Sequence, residues 1–261
     1  MRRRHLFEFE DQRWLPAWLR DALTDHLAEV FRSPVVAPLH EVMADRICAV
    51  LEASGRASLI DLCSGAGGPL PEVVPLIEGK LNRQVSVALT DLYPHRNLAE
   101  GLGGDPHFAV ELRAVDARSV PRDLRGVRVA FNAIHHFRPD ELAQVLRSAT
   151  AGGESMLVFE PFERRPVLAL RLMCGGFREG WRRAGRARGT RSRTIGLHLF
   201  LPIVLAWDGC VSVLRGYTAD ELLAIATDAA PVALWRSERV DLPWGGLTVL
   251  IGESGTPSGD S

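Results

Sequence analysis

The sequence predicts an α/β fold built on a doubly wound, mostly parallel sheet of seven strands. Three observations predict it. Apolar strand-type runs alternate with helical periodicity from Ser58 to Glu160. Successive strands close on an acidic residue, at Asp61, Asp91 and Asp116. A glycine-rich turn, Gly65-Ala66-Gly67-Gly68, follows the first of them. Parallel neighbours need crossovers long enough to hold a helix, so strand-helix alternation points to βαβ units.

Each element has its own justification. Leu15, Leu19, Leu23, Leu27 and Val30 recur at helical spacing within Trp14–Ala53. Pro34 and Pro38 are expected to break that stretch before a second helix over Glu41–Glu52. Ser58–Leu62 reads as a buried strand, Pro71–Leu81 as a helix, Val85–Thr90 as a strand ending at Asp91, and Glu111–Val115 as a strand ending at Asp116. Val127–Ala133 is the next strand, Pro139–Thr150 a helix opened by proline and acids, and Ser155–Glu160 a strand. Alternation then stops across Pro161–Gly216. It resumes at Thr218, which can cap a helix with Glu221 three residues on. Val232–Val240 and Leu247–Ile251 read as two strands joined around Pro243-Trp244-Gly245-Gly246. The expected organisation is therefore a helical cap over 1–54, an α/β domain over 55–252 interrupted by an insertion over 161–216, and a disordered tail over 253–261.

Composition removes several classes of function. A formal charge of −1 over 261 residues gives no global footprint for nucleic acid. The hydrophobic fraction of 46% is ample for a core, and no uninterrupted apolar run reaches the ~18 residues a bilayer span needs. Cys48, Cys63, Cys174 and Cys210 lack CxxC spacing, so neither a zinc site nor a disulfide framework is expected. The start Met-Arg-Arg-Arg-His-Leu leads into Phe-Glu-Phe-Glu-Asp rather than an apolar core, which disfavours a secretory leader and makes a reducing cytoplasm the expected compartment.

The stretch Asp61-Leu62-Cys63-Ser64-Gly65-Ala66-Gly67-Gly68 carries the chemistry. A glycine turn at the carboxyl end of a first strand is where open α/β sheets bind nucleotides. With Asp91 and Asp116 following in order, the pattern resembles the class I S-adenosylmethionine-dependent methyltransferases, small-molecule branch, best over Ser58–Glu160. That resemblance implies a Rossmann-like methyltransferase fold and S-adenosyl-L-methionine as cofactor. The family's motif runs acid, any, Gly, any, Gly, any, Gly, and Cys63 stands here at the first glycine. The resemblance places Asp61, Cys63, Gly65 and Gly67 against the methionine part. It places Asp91 and Leu92 at the ribose, Asp116 and Ala117 at the adenine, and Asn132 in the same pocket. A carboxylate accepts both hydroxyls of a ribose diol, which suits Asp91. For each acid a simpler role also stands: capping the next helix or pairing with a surface arginine.

The family places substrate-facing residues at the end of the fourth strand, here Phe131-Asn132-Ala133-Ile134-His135-His136-Phe137. His135 and His136 are the candidate bases, with a hydrogen-bonded structural histidine the equal alternative. Alternation is expected to turn them to opposite sides. The family's Asn/Asp-Pro-Pro-Tyr/Phe signature for base amino groups is absent, and no metal site is expected.

The insertion is where substrate choice is expected. Its arginines (Arg178, Arg182, Arg183, Arg186, Arg188, Arg191, Arg193) read most simply as a solvated loop. The apolar stretch Ile195–Trp207 reads as a lid helix, with a pocket wall, a homodimer contact or a resting place on a bilayer surface as alternatives. The resulting expectation is a methyltransferase acting on a hydrophobic small molecule. The alternative is a protein of the same fold that binds the cofactor without transferring methyl groups.

Overall fold

In the computed structural model, residues 1–94, 98, 102, 105–161, 163–186, 191–243 and 245–254 are described. The chain divides into two compact units, Met1–Leu27 with Phe162–Tyr217, and Ala28–Pro161 with Thr218–Ser261. The division thus falls inside the stretch expected as one helical cap, because α1 (Ala17–Phe31) and α2 (Ala37–Ser54) bury different partners. Leu15, Leu19 and Leu23 pack with Leu197, Leu201 and Val204, whereas Leu39, Met43, Ile47 and Leu51 join the core under the sheet.

The larger unit is a seven-stranded sheet in the order β3-β2-β1-β4-β5-β7-β6. Its strands are β1 (Ser58–Leu62), β2 (Ser86–Thr90), β3 (Phe108–Val110), β4 (Val127–Phe131), β5 (Met156–Glu160), β6 (Ala233–Leu242) and β7 (Gly245–Ser254). The first five run parallel and β7 returns antiparallel to β5. Leu59, Ile60 and Leu62 on β1, and all of β4 and β5, are buried, as strands covered on both faces require. Strand order reverses between β1 and β4, so their carboxyl ends flank the crevice where such sheets take ligands. The connecting helices are α3 (Leu70–Leu81), α4 (Pro139–Thr150) and α7 (Ala219–Ala229). In α7 the Thr218 hydroxyl accepts from Glu221 N and the Glu221 carboxylate from Thr218 N, as its sequence predicts.

Several boundaries differ from expectation for physical reasons. Pro38 does not break the helix; it sits in the first turn of α2, where a missing N–H costs nothing. The third strand is Phe108–Val110, and Glu111–Val115 is not a strand. Those residues instead fold over the end of β2, with Glu111 N donating to Leu89 O and Val115 N to Asp91 O. The last strand extends to Ser254 because Ser254 pairs Ala233 and Glu253 pairs Leu234, so 253–254 belong to the sheet rather than to a tail. The remainder of that expected tail, and Trp244 of the expected turn, lie outside the described residues.

The smaller unit is built on a helical hairpin, α5 (Pro166–Ala184) and α6 (Arg191–Arg215). Arg178, Arg182 and Arg183 therefore lie on a helix, not in a loop. Gly176, Gly180 and Ala184, repeating every four residues, supply a narrow face, and the two glycines approach α6. Arg188 and the side chains of Arg191 and Arg193 lie outside the described residues. A Cβ at Gly180 would meet Pro202 Cα at 2.5 Å, and one at Gly176 would meet Leu205 O at 2.5 Å. The glycines let two backbones touch, as small-xxx-small faces do. The segment before α1 is strapped to α6. The Asp208 carboxylate accepts from Phe9 N (2.8 Å) and Glu10 N (3.2 Å), and buried Arg215 pairs Asp11 at 2.7 Å. Thr194–Arg215 reaches a mean hydropathy of 1.8 over a membrane-length window, longer than the run visible in sequence, yet 56% of that window is buried inside the protein.

Candidate functional site

The turn after β1 is organised by Ser64. Its hydroxyl donates to Asp61 O (3.0 Å) and accepts from Thr90 N (2.9 Å), while Ser64 N donates to Thr90 O (3.0 Å). Thr90 Oγ1 closes the set by donating to Asp61 O at 2.7 Å. These bonds lock the carboxyl ends of β1 and β2 together. Gly67 N donates back to Ser64 O at 2.8 Å, and Gly65, Gly67 and Gly68 all take positive φ (52°, 91° and 52°). Such a run is open to glycine at little cost and leaves main-chain N–H groups reachable.

Cys63 takes φ 60°, the left-handed region where a side chain is disfavoured. Position 63 thus takes a backbone conformation that favours glycine although it carries a side chain. Burial pushes the Cys63 thiol above its ordinary pKa, and Asp91, Asp61, Asp116 and Glu160 push it the same way. It remains a protonated thiol and a poor nucleophile.

Asp61 is 1% exposed, lies in register with Leu89 on one side and Val129 on the other, and has one carboxylate oxygen buried without a partner among the described residues. Burial raises its pKa well above the usual carboxylate range; the Ser64 hydroxyl opposes this and Asp91 adds to it. A buried carboxyl with one oxygen open beside a glycine turn is a preformed acceptor for a cation. Asp91 follows β2 and turns toward that loop, Oδ2 accepting from Gly65 N (2.9 Å) and Oδ1 from Tyr93 N (2.8 Å). A carboxylate has about four acceptor positions, so this leaves capacity for a diol. Leu92 beside it is largely exposed.

Asp116 differs from its expected setting. It does not end a strand; it caps a 3-10 turn at Ala117–Ser119, accepting from Arg118 N at 2.9 Å. Both its oxygens also meet the Arg118 guanidinium at 2.8–3.1 Å, and that pairing holds its pKa below the ordinary value. Capping and arginine pairing, the two simpler roles open to it from sequence, are thus both present. Its neighbour Val115 bonds Asp91 O, which keeps Asp116 and buried Ala117 next to the end of β2.

At the end of β4 the extended chain stops at Phe131. Asn132 takes φ 52°, donates its N–H to Phe159 O (2.9 Å), and leaves Oδ1 buried without a partner among the described residues. Ile134–His136 then form a 3-10 turn. Strand alternation no longer applies, and the two histidine rings do not face opposite ways: their centroids lie 4.3 Å apart at 35°. His135 is buried, with Nδ1 2.8 Å from Glu160 Oε2. Glu160 Oε1 accepts from Ala133 N (2.9 Å) and Ile134 N (2.6 Å). This one buried carboxylate, last residue of β5, holds the whole turn and fixes the imidazole plane. Sequence reasoning missed Glu160, Ser64 and Thr90. The available signal for Glu160 was an acid closing the otherwise apolar Met156-Leu157-Val158-Phe159.

The arrangement brings Asp61, Cys63, Gly65, Gly67 and Asp91 into one loop system, and groups Asn132, His135 and His136 at the end of the adjacent strand β4. No family model matches the chain, and no curated protein matches it in sequence. Among solved structures, the CMeT domain of the citrinin polyketide synthase is similar at a TM-score of 0.55 and 15% identity, over 96% of this chain and 60% of that one. An O-methyltransferase family protein from Burkholderia thailandensis is similar at 0.50 and 19%, over 91% and 60%. A SAM dependent methyltransferase from Aquifex aeolicus is similar at 0.50 and 12%, over 89% and 97%. The chain thus spans about three fifths of the length of the first two. At these identities the likeness shows the fold alone, a seven-stranded, mostly parallel sheet flanked by helices.

Proposed function

We propose that this chain is an S-adenosylmethionine-dependent methyltransferase acting on a hydrophobic small-molecule acceptor. The observation that carries this reading is the buried, unpaired carboxylate oxygen of Asp61 at the mouth of the Gly65–Gly68 turn. It fits the ammonium group of the methionine part, while the glycine main chain leaves room for the rest of it. Asp91 is assigned to the ribose diol with Leu92 beside it, and Ala117 to the adenine. Asp116 reaches the adenine amine only by sharing its carboxylate with Arg118. Asn132 Oδ1, buried and unpaired, is a second acceptor for a cationic ligand.

When bound, the cofactor supplies a methyl carbon made electrophilic by its sulfonium. The chain's own residues then have two tasks, to align the acceptor and to manage its proton. His135 is the candidate base: Glu160 Oε2 faces its Nδ1 at 2.8 Å, which assigns proton transfer to Nε2. His136, with its ring against that of His135, is assigned to positioning the acceptor. Small-molecule acceptors are supported by the neighbours' own names, an O-methyltransferase family protein and a polyketide synthase domain. Four free cysteines support a reducing, cytoplasmic setting.

Calorimetry with S-adenosylmethionine tests the reading, and absence of binding by the intact protein overturns it. If the cofactor binds, transfer of labelled methyl to a panel of phenols, amines and lipid extracts is expected. Binding without transfer to any of them would favour a non-methylating member of the fold.

A further inference from the structure

The net charge of −1 conceals a strong segregation. Met1–Leu27 with Phe162–Tyr217 carries sixteen basic against eight acidic residues, and the rest of the chain fifteen against twenty-four. The excess lies in residues 162–217, where eleven arginines face three carboxylates. The same hairpin exposes large apolar side chains in helical register. On α5 these include Leu170, Phe177 and Trp181, and on α6 Ile195, Leu199 and Ile203, each 51–59% exposed.

Helix geometry relates the two stripes. The α5 stripe lies ~100° around the helix from Gly176 and Gly180, which touch α6, and the α6 stripe lies ~90° in the same sense from Pro202 and Leu205, which touch α5. The contacts Leu172–Gly209, Gly176–Leu205 and Gly180–Pro202 run in opposite directions, so the helices are antiparallel. Equal rotation in the same sense on antiparallel helices puts both stripes on one side of the hairpin. There the Trp181 ring meets that of His198 edge-on at 6.1 Å. Exposed Arg171 and Arg178 flank the apolar sector of α5, on the edge away from α6, and have no carboxylate partner among the described residues. Arg182 and Arg183, by contrast, share Glu179.

We propose that this face of the α5–α6 hairpin rests on an anionic lipid bilayer. A continuous apolar strip with an interfacial tryptophan, rimmed by unpaired arginines, is the composition of a helix lying in the headgroup plane. The rim also argues against a second copy as occupant, since two such faces would bring their arginine excess together. This inference stands apart from the methyltransferase reading.

Sedimentation of the full chain with vesicles tests it, using phosphatidylcholine alone and phosphatidylcholine with about a third phosphatidylglycerol. Retention is expected on the anionic vesicles only, weakening as salt is raised. Phe177→Asp with Trp181→Asp is expected to abolish it. Arg171→Glu with Arg178→Glu is expected to weaken it at least tenfold, at about 1 kcal/mol per basic residue near the surface. Circular dichroism checks that each variant is folded, and Leu234→Asp, an exposed change on β6, is expected to bind as the parent. Equal binding to neutral vesicles, retention that resists high salt, no binding to either, or unaltered binding by both double variants would each overturn the proposal. So would a dimer in analytical ultracentrifugation that the apolar variants dissolve while no vesicle is bound.

Discussion

Replacing Asp61 by Asn should make the ligand-free protein more stable and blind to its cofactor. The carboxylate is 1% exposed, one oxygen has no partner, and burial holds its pKa well above the ordinary value. The folded state therefore favours the protonated form. The sign follows: the stability that Asp61 contributes is complete at low pH and is lost as pH rises through the folded pKa. Asn keeps the shape without the charge. An unsatisfied buried group costs roughly 1–3 kcal/mol, more if charged, so the gain should be of that size at alkaline pH and shrink toward acid. For a chain of this length each kcal/mol moves the midpoint by roughly 2–4 °C. Thermal melts from pH 5 to 9, with and without S-adenosylmethionine, read both effects. The parent should gain about 2.7 kcal/mol at a hundredfold excess over Kd, a shift of roughly 5–10 °C, and the variant almost none. A variant that is less stable at every pH, or one that keeps the cofactor shift, would refute the assignment.

Asp208 offers the second pH handle. Burial pushes its pKa up to about 7, against backbone donation from Phe9 and Glu10 that lowers it, so stability should fall as pH rises from about 4 through 7, by up to about 4 kcal/mol. Asp208→Asn should flatten that slope in denaturant melts, at the cost of one of the bonds from Phe9 N and Glu10 N, since an amide has a single acceptor oxygen. Two glycines on α5 should respond oppositely to alanine. At Gly175 nothing lies within 4 Å of an added Cβ, and a gain of about 0.5–1 kcal/mol is expected, whereas Gly180→Ala meets the Pro202 backbone at 2.5 Å and should cost about 1–3 kcal/mol in the same melts. Glu160→Gln should lower kcat by on the order of a hundredfold with KM little changed, because an amide facing Nδ1 selects the other imidazole tautomer. A changed KM at constant kcat would remove His135 from the proton path.

How far the sequence reached depended on how local the signal was. Capping at Thr218, the proline and acids that open α4, and the buried apolar strands β1, β4 and β5 are decided within a few residues, and they appear where periodicity places them. The third strand failed because its end is set by tertiary bonding. Glu111 and Val115 spend their N–H groups on Leu89 O and Asp91 O as the chain wraps over β2, and no local pattern announces that. The basic stretch failed for the complementary reason. Charge density suggested a loop, but a four-residue repeat of small residues gave α5 a face narrow enough to pack α6, and packing outweighed charge.

The candidate site shows why spacing finds candidate residues more readily than it finds what supports them. Asp61 and Asp91 were visible because a strand end and a glycine turn are sequence-adjacent. Glu160 was not, because its partners Ala133, Ile134 and His135 lie 25–27 residues away and meet it only through the β4–β5 pairing. Cys63 separates the two kinds of information most clearly. The residue departs from glycine, yet its φ of 60° does not, so the loop's conformation is imposed by Ser64, Thr90 and Gly65 rather than by position 63 itself. A left-handed non-glycine residue costs ~1–2 kcal/mol, and the bonds around Ser64 are what hold it there. The support therefore sits one residue beyond the irregularity, and removing the Ser64 hydroxyl should disturb the glycine turn more than placing glycine at position 63.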